Sequence, residues 1–197
     1  AVEFAVEKSL ETLTLFAFSS ENWGRSDEEI SLIMKLLAQA LEEQIPRLIE
    51  NKVQLSFIGD LLKFDVDLQK RMKKAERLTL CQDEKKLDLV IAASYGGRWD
   101  IVQAIEKIKG IKEEVEINEE LVSSLTSLAP FSDPDLCIRT GGEYRVSNFL
   151  LWHLAYSELY FSELFWPDFD SNQFELALDE YSRRQRRFGD QSNFSAT

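Results

Sequence analysis

The chain has 197 residues, 44% of them hydrophobic and 11% aromatic, which is enough apolar side chain for a sizeable core and excludes a disordered or fibrous class. Lys and Arg number 23 against 35 Asp and Glu, and the net charge of −12 excludes nucleic acid as a bulk electrostatic partner. A small phosphorylated ligand stays open, because it needs only a local cluster of arginine. Two cysteines, Cys81 and Cys137, are too few for a disulfide framework, match no zinc spacing and read as small buried hydrophobes in a reducing cytosol. No apolar run approaches the roughly 18 residues of a membrane span.

The chain opens at Ala1 with neither an initiator Met nor a signal peptide, inside what reads as a helix over residues 1–9, so a segment is expected to precede it. Leu13–Phe18 reads as a strand buried on both faces, the pattern parallel sheets produce. Ser19–Ser26 supplies turn and capping residues. From Asp27 to Ile49, apolar residues recur at steps of three and four, predicting a long amphipathic helix whose acidic first turn suits the dipole. Val53–Ile58 is the next strand, Phe64–Leu80 a basic amphipathic helix and Leu87–Ala93 another buried strand. A Tyr95-Gly96-Gly97-Arg98 turn leads into a helix over 99–109, and Asn118 caps a short helix to Leu128. Asp135–Ile138 reads as a short strand, Ser147 or Asn148 through Glu158 as a helix, and Leu159–Phe161 as a strand. An aromatic loop, Phe165–Phe169, precedes a last helix over Asn172–Arg187. Alternating strands and helices predict one α/β domain over 1–197, with a central, mostly parallel sheet flanked by helices. Ligands of open α/β sheets sit beyond the carboxyl ends of the strands, which selects the loops Ser19–Ser26, Ser94–Arg98 and Arg139–Ser147.

Of these loops, Arg139-Thr140-Gly141-Gly142-Glu143-Tyr144-Arg145-Val146-Ser147 carries the strongest signal. Its two guanidinium groups suit phosphate oxygens, its glycines would let backbone N–H groups approach an anion, and a following helix N-terminus would add a positive dipole. In Ser19-Ser20-Glu21-Asn22-Trp23-Gly24-Arg25, Ser, Asn and Arg can hydrogen-bond a diphosphate while Trp23 covers an apolar substituent. Glu158, at the expected end of the 147–158 helix, could hold Mg²⁺ beside a diphosphate, though a helix-terminal Glu alone is more often solvated. His153, in an apolar stretch, reads as core. Arg183, Arg184, Arg186 and Arg187 either match a helix C-terminal dipole or form an anion-binding arm, also reaching a neighbouring subunit. No Walker A loop, G-x-G-x-x-G fingerprint, H-E-x-x-H pair or Asp-rich condensing motif is present.

With Leu13–Trp23, Ser94–Arg98, Arg139–Phe161, Trp166–Phe169 and Arg186–Gly189 in this order, the sequence resembles the cis-prenyltransferases over nearly its whole length. The resemblance implies a homodimeric, Mg²⁺-dependent cytoplasmic enzyme, peripheral to the membrane at most and meeting it through its product. It would add isopentenyl diphosphate to farnesyl diphosphate with cis double bonds, giving a long polyprenyl diphosphate of the kind that carries cell-wall precursors. The matched positions imply that Arg139, Arg145 and Ser147 bind isopentenyl diphosphate, with Glu143 and Val146 in the same substrate-binding segment. Ser19, Ser20, Glu21, Trp23 and Arg25 would line the allylic or homoallylic substrate region on a mobile loop, with Arg25 helping the diphosphate leave. Asn22 stands where the family removes a proton; an amide has no useful basicity, so it would position substrate and relay the proton to diphosphate or water. Glu158 would be the metal-associated carboxylate, and Arg186-Arg187-Phe188-Gly189 would close a partner subunit's site. The growing product needs an apolar tunnel between the sheet and the long helix 27–49.

Three departures accompany this resemblance. The family's first motif, Asp-Gly-Asn-Gly-Arg-Trp with its Mg²⁺-holding Asp, has no counterpart here, and the chain without it is expected to be inactive. Tyr144 stands where a His often occurs, and Ser26 replaces a Pro, which leaves the loop freer. Two readings follow: a synthase whose first segment precedes Ala1, and a catalytically silent cis-prenyltransferase-like partner with a binding or scaffolding role.

Overall fold

Three of the apolar runs pair side by side in a parallel sheet of order β1-β3-β2, formed by β1 (Thr12–Ser19), β2 (Val53–Ile58) and β3 (Leu87–Tyr95). The structure is a computed structural model and describes residues 1–80 and 84–184. β3 lies between the other two, and Leu87, Leu89, Val90, Ala92, Ala93 and Tyr95 are all buried, as its continuous apolar run predicts. β1 departs from the same expectation. Only Phe18 of this strand is buried, Leu15 is half-buried and Phe16 is exposed, and Leu15 and Ala17 line a cavity that leaves one face of the strand incompletely packed.

That cavity, about 290 Å³ and almost wholly apolar, lies between the sheet and α2 (Asp27–Glu50). Leu37, Leu41, Ile45 and Leu48 come to it from α2, and Leu15, Leu55 and Leu89 from the strands. α2 has 24 residues and is therefore about 36 Å long. Ser26 starts it by accepting a hydrogen bond from Glu29 N, so the residue that stands in place of a Pro is an N-cap. α1 (Val2–Glu7) precedes β1, and α3 (Val66–Leu78) packs through Leu68, Met72 and Ala75, at helical spacing, with Asp65 as its cap. α4 (Gly97–Lys109) and α5 (Glu119–Leu125) follow β3.

The chain divides into two compact units. Val2–Ser132 and Asn148–Trp152 form the larger one, which holds the sheet just described. The other contains Asp133–Ser147 and the chain from His153 onward. Its strands β4 (Leu136–Arg139) and β5 (Glu158–Phe161) form a second parallel sheet, followed by α6 (Ser171–Arg183), which Asp170 caps.

One predicted element is absent. Residues 147–156 form a succession of turns and bends where a helix to Glu158 is expected, Glu158 belongs to β5, and Ser147, Asn148 and Leu150 have φ of +46°, +63° and +42°. The reason is tertiary: the segment's groups are claimed in several directions, which no single helical face could satisfy. Phe149 stacks on Phe16, Leu150 is buried, Trp152 Nε1 donates to Ser123 Oγ, and Asn148 O accepts from Gly97 N.

Candidate active site

At the carboxyl end of β1 the register against β3 shifts between Phe16 and Ser19, a bulge that re-aims the chain as it leaves the sheet. The next five residues, Ser20–Gly24, form one tight 3-10 turn. Ser19 N donates to Asn22 Oδ1 at 2.9 Å, which fixes the Asn22 amide by its oxygen and leaves its NH₂ as the end that can meet a ligand. Trp23 is half-buried, its ring edge-on to Phe18 at 5.0 Å and tilted against Phe64 at 5.5 Å. Trp23 Nε1 donates to the hydroxyl of buried Ser94 at 2.9 Å, and Ser94 itself holds φ +53° at the end of β3. Backbone strain of this kind collects at functional sites. Arg25 is exposed and lies 3.9 Å from Glu29.

Glu21 accepts from Ser20 Oγ at 3.0 Å and from Asn148 Nδ2 at 2.7 Å. Burial pushes its carboxyl up, but hydrogen bonds from Asn148, its own backbone, Ser20 and Ser19 outweigh this and hold it below the ordinary glutamate value. The β3–α4 turn comes close by: a Cβ on Gly96 would stand 2.4 Å from Ser20 Oγ and 2.8 Å from Asn148 Nδ2. Ser19, Ser20, Glu21, Asn22, Trp23 and the Ser94–Arg98 turn are thus brought together in the larger unit, as the strand-end rule selects. The apolar cavity is walled by β1 and β3 together with β2.

Arg139, Glu143, Arg145, Val146 and Ser147 all belong to the other unit. Arg139 Nη1 donates to Arg145 O at 2.8 Å, Arg145 Nη1 pairs with Glu143, and Arg145 Nε donates to Ser147 Oγ at 3.1 Å. Val146 is half-buried between them. Two expectations for this loop are corrected. The glycine N–H groups do not face an open anion site: Gly141 N donates to Leu164 O at 2.7 Å and Gly142 N to Ser162 O at 3.0 Å, carrying the β4–β5 pairing one step further. Nor does a helix N-terminus follow, since 147–156 is a chain of turns and bends. The loop's capacity for an anion therefore rests on its guanidinium groups. Gly141 and Gly142 are needed for their φ of +91° and +69° instead.

Glu158 is also relocated, to the first residue of β5, not a helix end. Its Oε2 lies 2.9 Å from Arg184 Nη1, and Arg184 also pairs with Glu180, which holds the guanidinium pKa above its usual value. No group of three His, Cys, Asp or Glu side chains able to hold a metal occurs among the described residues. A metal role for Glu158 would need further oxygen donors, such as phosphate oxygens, and would have to share or displace its Arg184 contact. Tyr144 donates to Glu163, an interaction that raises the phenol pKa. His153 is buried, as its core reading requires, with Nδ1 2.6 Å from Asp133 Oδ1. Cys137 is a free, half-buried thiol whose pKa burial raises. Cys81 and Arg186-Arg187-Phe188-Gly189 lie outside the described residues.

Periodicity missed two polar groups. Asp100 is fully buried, yet accepts from Tyr95 Oη at 2.9 Å and from Ser127 N and Oγ at 2.8 and 2.7 Å, pinning the turn after α5 to α4. Asn148 is the other; an Asn beside a Ser at a site expected to be helical reads as an ordinary cap.

The family model described as putative undecaprenyl diphosphate synthase matches residues 1–189. The chain belongs to that family. It is 48% identical over 202 residues to the (2E,6E)-farnesyl-diphosphate-specific ditrans,polycis-undecaprenyl-diphosphate synthase of Yersinia pseudotuberculosis, covering 100% of this chain and 79% of the relative. A probable undecaprenyl diphosphate synthase from Campylobacter jejuni superposes with a TM-score of 0.87 at 36% identity, over 95% of this chain and 88% of that one. Lavandulyl diphosphate synthase from Lavandula x intermedia, solved with dimethylallyl diphosphate, gives 0.89 at 34% identity over 95% and 83%. These names are those of prenyl diphosphate synthases, and the silent-partner alternative finds no support in them. The α/β architecture expected from the alternation of strands and helices is the one the family adopts.

Proposed function

We propose that the chain is the cis-prenyltransferase that condenses isopentenyl diphosphate units onto farnesyl diphosphate to give undecaprenyl diphosphate. The observation that carries this reading is its 48% identity, over the whole chain, to synthases named for that product and for farnesyl diphosphate. The apolar cavity beside α2 supports it, since a growing polyprenyl tail needs an oily enclosure that keeps water from the reacting carbon. The match over 1–189 supports treating the chain as one cis-prenyltransferase domain, and the proposal includes the homodimer that the resemblance implies.

In this reading Arg139 and Arg145 grip the diphosphate of the isopentenyl unit and Ser147 adds a hydroxyl donor, with Glu143 and Val146 shaping the same segment. Arg145 is paired with Glu143, and substrate would take that carboxylate's place. Asn22, its oxygen tied to Ser19 N, turns its NH₂ to the substrate and positions the proton that must leave for diphosphate or water. Arg25 stabilises charge on the departing diphosphate, while Ser19, Ser20, Glu21 and Trp23 form the wall around it. Glu158 would hold Mg²⁺ jointly with phosphate oxygens, and the ion, when bound, neutralises charge on the leaving group. The enzyme is proposed to be cytoplasmic, peripheral at most to the inner face of the membrane, with transient membrane contact through its lipid product. Among the described residues no helix is long and apolar enough to cross a membrane.

Incorporation of radiolabelled isopentenyl diphosphate by the complete protein, with farnesyl diphosphate as acceptor, tests the reading. Label is expected in long polyprenyl diphosphate, and its absence overturns the function. Arg139→Ala is expected to raise KM for isopentenyl diphosphate by about tenfold or more, the loss of a charge-assisted hydrogen-bonding pair. An unchanged KM sinks the assignment of that loop.

A further inference from the structure

Asn148 meets three partners through three different atoms. Its Nδ2 donates to Glu21 Oε1 at 2.7 Å, its Oδ1 accepts from Arg98 N at 2.9 Å, and its backbone O accepts from Gly97 N at 2.6 Å. The last two satisfy N–H groups in the first turn of α4, groups a helix cannot pair internally and for which the N-cap residue Gly96 offers no side chain. The first reaches across to the 3-10 turn that follows β1. The backbone adopts φ +63° to make this possible, a conformation Asn tolerates better than most side chains. Gly96 completes the arrangement, since any Cβ there would collide with Ser20 Oγ and with the Asn148 amide.

We infer that Asn148 is the positioning residue of the Ser20–Gly24 turn: it locks Glu21, and with it the turn carrying Asn22 and Trp23, to the N-terminus of α4. The two ends of its side chain do different work, and the work is separable by chemistry. An aspartate keeps the oxygen that caps α4 but replaces the donor to Glu21 with a second carboxylate oxygen, which repels it. A glycine keeps the positive φ and loses both contacts. The importance of the turn for prenyl transfer rests on the reading above, but the positioning role does not, so the two are measured separately.

Amide hydrogen exchange of the complete protein reads the positioning directly. Asn148→Asp is expected to speed exchange across Ser20–Gly24 by about tenfold or more while leaving the first turn of α4 unchanged, because only the bond to a charged partner is lost. Asn148→Gly is expected to speed both. Restoring the pair with its polarity reversed, as Asn148→Asp with Glu21→Gln, lets the new amide donate to the new carboxylate and returns the turn's exchange towards wild type. Unchanged exchange at Ser20–Gly24 in Asn148→Asp, or a double variant no slower than the single one, overturns the inference. With steady-state kinetics alongside, a loosened turn is expected to lower kcat more than it raises KM. A loosened turn with kcat intact keeps the positioning role and instead overturns the catalytic reading of the turn.

Discussion

In the turn after β1, side chains are held by residues far away in sequence: Trp23 by Ser94, 71 positions on, and Glu21 by Asn148, 127 positions on. In the loop after β4 the charged groups are held by close neighbours instead, Arg145 by Glu143 and Ser147 and Arg139 by the Arg145 carbonyl. The first region is shaped by the fold and presents its groups ready-placed. The second is a set of exposed local pairs, each contributing little in water and each open to replacement by a stronger anion. In the function proposed above, the fold-held turn would preorganise the reacting groups and the exchangeable arginine loop would recognise the diphosphate.

The largest effect that would break this contrast lies at Trp23. Trp23→Ala removes a half-buried ring packed on Phe18 and Phe64 and is expected to cost about 3 kcal/mol of stability in urea unfolding, at the low end for a lost aromatic. Arg145→Ala is expected to stay within about 0.5 kcal/mol of wild type in the same measurement, because its partners are exposed. Equal losses in the two variants would mean that both regions are built by the fold, and the division of labour would fail.

The same difference decided what could be read from sequence. Elements with one repeating environment were legible: the three-and-four spacing of α2 and α3 and the unbroken apolar run of β3 reappear with their boundaries shifted by a few residues at most. The arginine loop stands out in the sequence because Arg, Gly and Ser cluster within nine residues. The contacts that join distant segments were not. Residues 147–158 have helical composition, but Phe149 stacks on Phe16, Leu150 is buried and Trp152 donates to Ser123, and no period records that. The misplaced helix carried two errors with it, a dipole behind Ser147 and a helix-end Glu158. The glycines of the loop were correctly marked as special, but for their positive φ, not for N–H groups that prove to be paired.

A smaller effect tests the turn through acid. The Glu21 carboxyl is held below its ordinary value by its hydrogen bonds, so the folded state favours the ionised form. Its contribution to the turn is therefore fully present above the glutamate value of the unfolded chain and disappears as pH falls through the depressed one. Trp23 fluorescence at stepwise lower pH is expected to hold steady through the ordinary glutamate range and change only below it. Glu21→Gln is expected to remove that step. A change that begins at or above the ordinary range would place Glu21 in a weaker set of contacts than the structure gives it.

The smallest effect is expected at Tyr144, where the family often carries a histidine. Its ring is exposed and tilted on Phe161 at 5.3 Å, and its hydroxyl is engaged by Glu163, a neighbour in the same unit. Tyr144→Phe keeps the ring contact and loses one exposed hydrogen bond, so stability is expected to move by no more than about 0.5 kcal/mol. Because Glu163 is already the hydroxyl's partner, kcat/KM in the incorporation assay is expected to stay within about twofold. Titrating Mg²⁺ in both proteins sharpens the result. Superimposable Mg²⁺ curves make Tyr144 one more local pair of the recognising loop. A tenfold loss together with a demand for more Mg²⁺ would put the phenol beside the metal, and the loop after β4 would then take part in the chemistry as well as in the binding proposed for it.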